Sequence, residues 1–334
     1  MRAWWVERPG PVDSRPLAFG KRPDPEPGAH EILVRVSACG VCRTDLHLAE
    51  GDLPPKRPRT IPGHEVVGAV EQRGPGANRF EIGQRVGIAW LRLTCGTCRF
   101  CRRGRENLCL RPSFTGWDAD GGYAELAVVH EDYAYALPST FGDHEAAPLL
   151  CAGIIGYRAL RRADVPDGGT LGVYGFGASA HLAAQVAIHE GATVHVLTRS
   201  AEARRLALDL GAASAGDPLD GAPEPLDSAI LFAPSGDLVP VALRALDRGG
   251  TLAIAGIHLS DVPQLHYATD LFEERQLRSV TANTRDDGNE LLAIAARIPL
   301  RPSVVAYAFD AADQALADLA AGRLTGAAVI DVNA

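Results

Sequence analysis

Cysteines and histidines carry the chemistry open to this sequence, and their spacing divides it into two tasks. Cys95, Cys98, Cys101 and Cys109 are spaced C-x2-C-x2-C-x7-C. Four thiolates that close can wrap one tetrahedral zinc ion with no open position, a site that stabilises a lobe and performs no reaction. A ferredoxin-type cluster would need its fourth cysteine sooner and followed by proline, whereas Cys109 is followed by Leu110. The stretch 39–47, Cys-Gly-Val-Cys-Arg-Thr-Asp-Leu-His, has another character. A cysteine here can ligate zinc, and a hydroxyl followed by an imidazole, Thr44 then His47, can pass a proton from a reacting oxygen to water. The residues alone leave open whether Cys39 or Cys42 is the ligand. His64 follows Gly63 and precedes Glu65 and an apolar run, which suits a second ligand, and Asp45 can accept its other ring N–H. Cys151 is the one cysteine outside the clusters. Thiols bury well as core residues, but a reactive metal site needs a third soft ligand and no other cysteine is left for it.

The elements that must position these groups can be read next. Residues 32–38 alternate like a half-buried strand, which puts 39–47 on the loop or short helix leaving its end. Residues 8–28 hold six prolines, and the segment is expected to wander over the surface as connection. From Gly169 onward strand and helix patterns alternate, predicting a doubly wound parallel sheet. Its strands are expected at 170–174, 193–197, 228–232, 251–255 and 277–282, with a short one near 212–215. Gly175, Phe176, Gly177 and Ala178 form the turn into a helix reaching about Glu190, with Ala180 small enough for close packing. Such a turn admits a pyrophosphate at the helix N-terminus. The second strand ends in Thr198, Arg199 and Ser200, with Arg204 one turn on and no acid to grip a ribose hydroxyl. Guanidinium and hydroxyl donors suit a 2′-phosphate, so NADP is the expected coenzyme, with NAD possible. The tail, with strands over 303–309 and 327–332 around a helix over 310–321, is expected to return to the first domain.

The chain has 334 residues, 46% hydrophobic and 22% charged, enough for two domains of a globular enzyme. Boundaries are expected at 1–152, 153–287 and 288–334, with a metal lobe over about 92–112. A net charge of -8 and a pI of about 5.7 argue against a nucleic-acid partner. The basic run 99–105 reads as a solvated rim of the metal lobe. No apolar run approaches the roughly 20 residues that span a bilayer, and the first residues lack a cleavable apolar leader. A cytoplasmic setting is expected, where clustered cysteines bind metal before they form disulfides.

Taken together these motifs resemble the zinc-dependent alcohol dehydrogenases of the medium-chain dehydrogenase/reductase superfamily, over essentially the full chain. The resemblance implies an α/β protein with a GroES-like β-rich catalytic domain and a Rossmann coenzyme domain, assembled as homodimer or homotetramer. It implies two zinc ions per chain. Cys42, His64 and Cys151 would hold the reactive one, which resolves the choice between Cys39 and Cys42. The other would sit among Cys95, Cys98, Cys101 and Cys109. Thr44 and His47 match the family's proton relay, with Asp45 behind His64. Glu65 matches a residue that can approach the metal, Arg43 joins the coenzyme-binding set, and Trp90 and Trp117 match positions lining the substrate cleft. The implied reaction interconverts an alcohol and an aldehyde or ketone with NAD(P), favouring small or flat apolar substrates.

Two departures stand out. Relatives often carry a Gly-Arg before the last strand, where this chain has Arg323 earlier and Thr325-Gly-Ala-Ala in its place. NAD-using relatives carry an acid where Thr198 stands. Zinc-free quinone reductases of the same superfamily lack both cysteine sets. A zinc-ribbon redox sensor that merely holds a nucleotide would have no use for Thr44 and His47.

Overall fold

In the computed structural model, which describes residues 1–256 and 259–334, the alternation over 32–38 lies within an 11-residue strand, Glu31–Val41. This strand is the spine of a first unit made of residues 1–151, 282–297 and 302–334. Its sheet runs in the order Val304–Ala308, Ala327–Asp331, Glu31–Val41, Val66–Arg73, Arg85–Ile88 and Ala134–Ala136, with Leu126–His130 also pairing along Glu31–Val41. Cys39 stands between Ile330 on one neighbour and Val66 on the other, both antiparallel. Irregular register at Leu33/Val34 and Val36/Ala38 bends the strand before it delivers 39–47, and the Ser37 hydroxyl bonds the Val67 carbonyl at 3.0 Å there. Ile32, Val34, Val36, Ile88 and Ile330 form the core, covered in part by the helices Arg43–Glu50 and Ala312–Ala320.

The proline-rich segment is more ordered than expected. Leu17–Lys21 pairs antiparallel with Arg2–Val6. No proline lies between 17 and 22, so the donors a ladder needs are intact inside a segment whose flanks lack them.

The second unit, residues 152–281 and 298–301, is a six-stranded sheet in the order Ser214–Gly216, Thr193–Leu197, Thr170–Tyr174, Leu226–Leu231, Leu246–Ile254 and Gln276–Ser279. Every pair is parallel. Numbered along the chain this is 3-2-1-4-5-6, the Rossmann order, with the helix Ala178–His189 following the first strand. The last strand stops at Ser279, short of the expected 282, and Ala282 itself adopts a left-handed φ of 48° that no strand would include. The tail helix starts as a 3-10 turn, Phe309–Ala311, before Ala312–Ala320. Among the described residues no helix is long and apolar enough to cross a membrane.

Candidate metal centres and coenzyme site

Cys42 caps the helix Arg43–Glu50 with extended backbone, and from there its thiol meets residues brought by two other segments. Donor atoms of Cys42, His64, Glu65 and Cys151 all lie within 4.8 Å of one another. His64 Nε2 is 3.3 Å from Cys151 Sγ, and the Cys42 and Cys151 sulfurs are 3.8 Å apart. Cys151 sits at a break in the chain, φ -130° and ψ -69°, between the 3-10 turn Ala147–Leu150 and the helix Ala152–Ala163. That break turns its thiol out of the apolar run in which it looked like core. Cys39 lies three residues before Cys42, still inside the strand Glu31–Val41, fully buried and outside the donor group.

Asp45 holds the group together. Its Oδ1 accepts the Gly63 N–H at 3.0 Å and His64 Nδ1 at 3.1 Å, and its Oδ2 accepts the Cys42 N–H at 2.9 Å and the Tyr123 hydroxyl at 3.4 Å. A bonded Nδ1–H leaves the Nε2 lone pair of His64 for a metal. Gly63 is required at its position: φ is 96°, and a Cβ would lie 2.5 Å from Tyr123. Tyr123 is the member of this group that sequence reasoning missed, since nothing marks a tyrosine 78 residues from Asp45 as its partner.

Burial and mutual contact shift all four donor groups. Contact with Cys151 holds the Cys42 thiol well below the usual thiol range, and the same contact with burial pushes Cys151 well up. Burial opposes charge on His64, but the Asp45 carboxylate overrides it and holds the imidazole well above its ordinary value. Burial also drives the Glu65 carboxyl well up. Two thiols, an imidazole and a carboxylate around one point match the donors of a tetrahedral zinc site.

Thr44 Oγ1 lies 3.7 Å from Cys42 Sγ. His47, one turn along the same helix, is mostly covered, and its Nδ1 is 3.0 Å from Asp52 Oδ2. Trp90 meets the His64 ring edge-on at 5.0 Å and stacks on Phe114 at 4.8 Å and Trp117 at 6.1 Å. Phe114 is the missing third member of this wall. Trp117 is held by its Nε1–H on the Pro54 carbonyl and by Lys56 Nζ 3.7 Å above its ring.

The sulfurs of Cys95, Cys98, Cys101 and Cys109 form a second group within 4.8 Å. Backbone N–H groups of Cys95, Cys98 and Arg111 point at the sulfurs at 3.3–3.4 Å. Such donors, with those of Thr97 and Cys98 foremost, hold the Cys95 thiol down to about 6, whereas burial lifts Cys101 to about 11. All seven cysteines are free thiols. Glu106, inside the lobe, grips Arg285 through both oxygens at 2.9–3.2 Å.

In the second unit Gly175 and Phe176 follow the first strand and Gly177 caps the helix Ala178–His189. A Cβ on Gly177 would meet nothing within 4 Å, so the backbone is open there, at a helix N-terminus of the kind that attracts anions. Thr198 is buried, while Arg199 and Ser200 are exposed. Ser200 Oγ caps the next helix through the Ala203 N–H. Arg204 is engaged by the Thr198 carbonyl at 2.6 Å and Asp217 at 3.1 Å, so it braces the turn, a tie the sequence did not reveal. Arg43, in the first unit, is exposed at the first turn of its helix.

Comparison with known proteins follows the same division. A family model for the alcohol dehydrogenase GroES-like domain matches residues 28–139, and one for zinc-binding dehydrogenases matches residues 180–297. The chain is 59% identical to a probable alcohol dehydrogenase, AdhA, of Mycobacterium tuberculosis, over 99% of this chain and 97% of that one. A cobalt- and zinc-bound thermostable alcohol dehydrogenase from Pyrobaculum aerophilum superposes with a TM-score of 0.89 at 27% identity, covering 99% of each chain. The CAD of Helicobacter pylori in complex with NADP(H) gives 0.87 at 25% identity, covering 100% of this chain and 99% of that one.

Proposed function

This chain belongs to the zinc-binding alcohol dehydrogenase family, enzymes that interconvert alcohols and carbonyl compounds, and on that premise we propose how its residues divide the work. Cys42, His64 and Cys151 hold the reactive zinc, and Cys95, Cys98, Cys101 and Cys109 hold a second that serves the fold. The observation that carries the reading is the convergence of three soft donors with Glu65 around one point, braced by Asp45. Zinc supplies Lewis acidity that eases loss of the alcohol proton, and a nicotinamide coenzyme held by the second unit supplies the hydride acceptor.

The chain's own groups do the rest. Asp45 orients His64, and Thr44 receives the alcohol proton and passes it towards His47, which takes it as base. Glu65 offers a carboxylate donor beside the three ligands. Trp90 and Trp117, with Phe114 against both, form an apolar wall suited to small or planar alcohols. Gly175, Phe176, Gly177 and Ala178 receive the coenzyme pyrophosphate, and Arg43 contributes a further coenzyme contact. Thr198, Arg199 and Ser200 favour NADP over NAD, since no carboxylate stands where a 2′-phosphate would sit. Arg204 supports that turn from behind. The enzyme works as a homodimer or homotetramer in the cytoplasm. Family membership does not favour the alternative of a zinc-ribbon redox sensor without turnover.

Metal content and coenzyme preference test the reading. Two zinc ions per chain are expected, and partial chelation should remove one with loss of alcohol oxidation. Retained activity after that loss overturns the assignment. A kcat/KM higher with NADP than with NAD, reversed by Thr198→Asp with Arg199→Leu, supports the coenzyme reading, and a clear NAD advantage in the parent defeats it.

A further inference from the structure

The end of the helix Arg43–Glu50 returns the chain onto His47. Gly51 closes the helix in the left-handed conformation with φ 95°, and the N–H groups of Gly51 and Leu53 both donate to the His47 carbonyl at 3.0 Å. Few residues other than glycine accept that backbone, and a Cβ there would also stand 3.1 Å from Pro9. The reversal brings Asp52 back over the last turn, with Oδ2 3.0 Å from His47 Nδ1. Glu50 is the other carboxylate in reach, its donor atom within 4.8 Å of those of His47 and Asp52. It has a separate duty, since its Oε1 accepts the Val12 N–H at 3.2 Å.

We propose that Asp52 is the positioning residue of the proton relay, fixing His47 as the tautomer with its proton on Nδ1 and its lone pair on Nε2. The proposal rests on the reading of His47 as the relay base. An ionised carboxylate only accepts, so a 3.0 Å contact to Nδ1 has one polarity, Nδ1–H to Oδ2. Which ring nitrogen of a histidine is basic follows from the bond the other makes. In alcohol oxidation His47 takes the proton on Nε2 and becomes an imidazolium whose Nδ1–H stays on Asp52. In carbonyl reduction the Nε2 proton leaves by the same route. Asp52 touches neither substrate nor coenzyme in this scheme.

The test combines nitrogen NMR of the zinc-loaded enzyme, labelled at histidine, with steady-state kinetics on Asp52→Asn and Asp52→Ala. The His47 signals are identified by their loss in His47→Gln. The parent and Asp52→Asn, which keeps an acceptor oxygen, should both show the Nδ1–H tautomer, and Asp52→Ala should not. Asp52→Ala should lower kcat for alcohol oxidation by roughly 10-fold with KM for the alcohol little changed, and Asp52→Asn should recover most of that loss. An Nε2–H tautomer in the parent, an Asp52→Ala enzyme with parental tautomer and kcat, or an Asp52→Asn enzyme as slow as Asp52→Ala overturns the proposal. Parental rates in His47→Gln would instead remove the relay itself, a result distinct from any of these.

Discussion

Four hydrogen-bond donors end on the carboxylate of Asp45, so the proposed reactive centre is braced at one residue. Asp45→Asn would turn an amide N–H₂ towards donors that need an acceptor. We expect a stability loss of about 1–3 kcal/mol and faster zinc loss, checked by denaturant midpoint and by metal content after dialysis. The ligands should behave differently. Cys42→Ala or His64→Ala should abolish alcohol oxidation with the far-ultraviolet circular dichroism of the parent, since each removes a donor without removing the brace. Near-normal turnover in Cys42→Ala would refute its role. At this scale residue types were legible and their partners were not. Cys-x-x-Cys at 39 and 42 looks symmetrical in the sequence. Register separates the two, with Cys39 inside the sheet between Ile330 and Val66, and Cys42 past its end. Arg204 looked like a phosphate ligand because its tie to Asp217 crosses 13 residues of chain.

Elements place these residues within narrow tolerances. Gly63 must turn sharply to put His64 under Asp45, and Gly63→Ala would combine left-handed strain with a 2.5 Å clash against Tyr123. A cost of about 2–4 kcal/mol is expected, together with weaker zinc retention, measurable by thermal unfolding with and without added zinc. The lobe should respond in stability alone. Cys95→Ala should lower Tm and yield, and a stable Cys95→Ala protein with parental Tm would count against a closed metal site. Periodicity made the Rossmann strands and the spine strand readable, because each buries a regular face. It failed for Leu17–Lys21, where flanking prolines masked a short stretch with intact donors, and for the last Rossmann strand, which stops at Ser279 before a left-handed Ala282.

On the scale of the molecule, the lobe is anchored by more than its metal. Glu106 and Arg285 are 179 residues apart in sequence and form a two-toothed ion pair within the first unit, with Arg285 also 4.7 Å over the Tyr133 ring. Glu106→Gln should lower Tm by a few degrees, and Glu106→Gln with Arg285→Met should recover part of that loss, because the single change strands a half-buried cation. Equal Tm values in the single variant and the parent would show the pair to be dispensable. The strand Ala327–Asp331 lies inside the first unit's sheet, between Val304–Ala308 and the spine Glu31–Val41. The spine therefore closes this flank across the whole of the second unit's sequence, whereas the strands of the second unit follow one another closely in the chain and close shorter loops. Pairing along that flank is the long-range step of the first unit's assembly, and until it is made the spine's unpaired edge is the stretch a holding chaperone would need to shield.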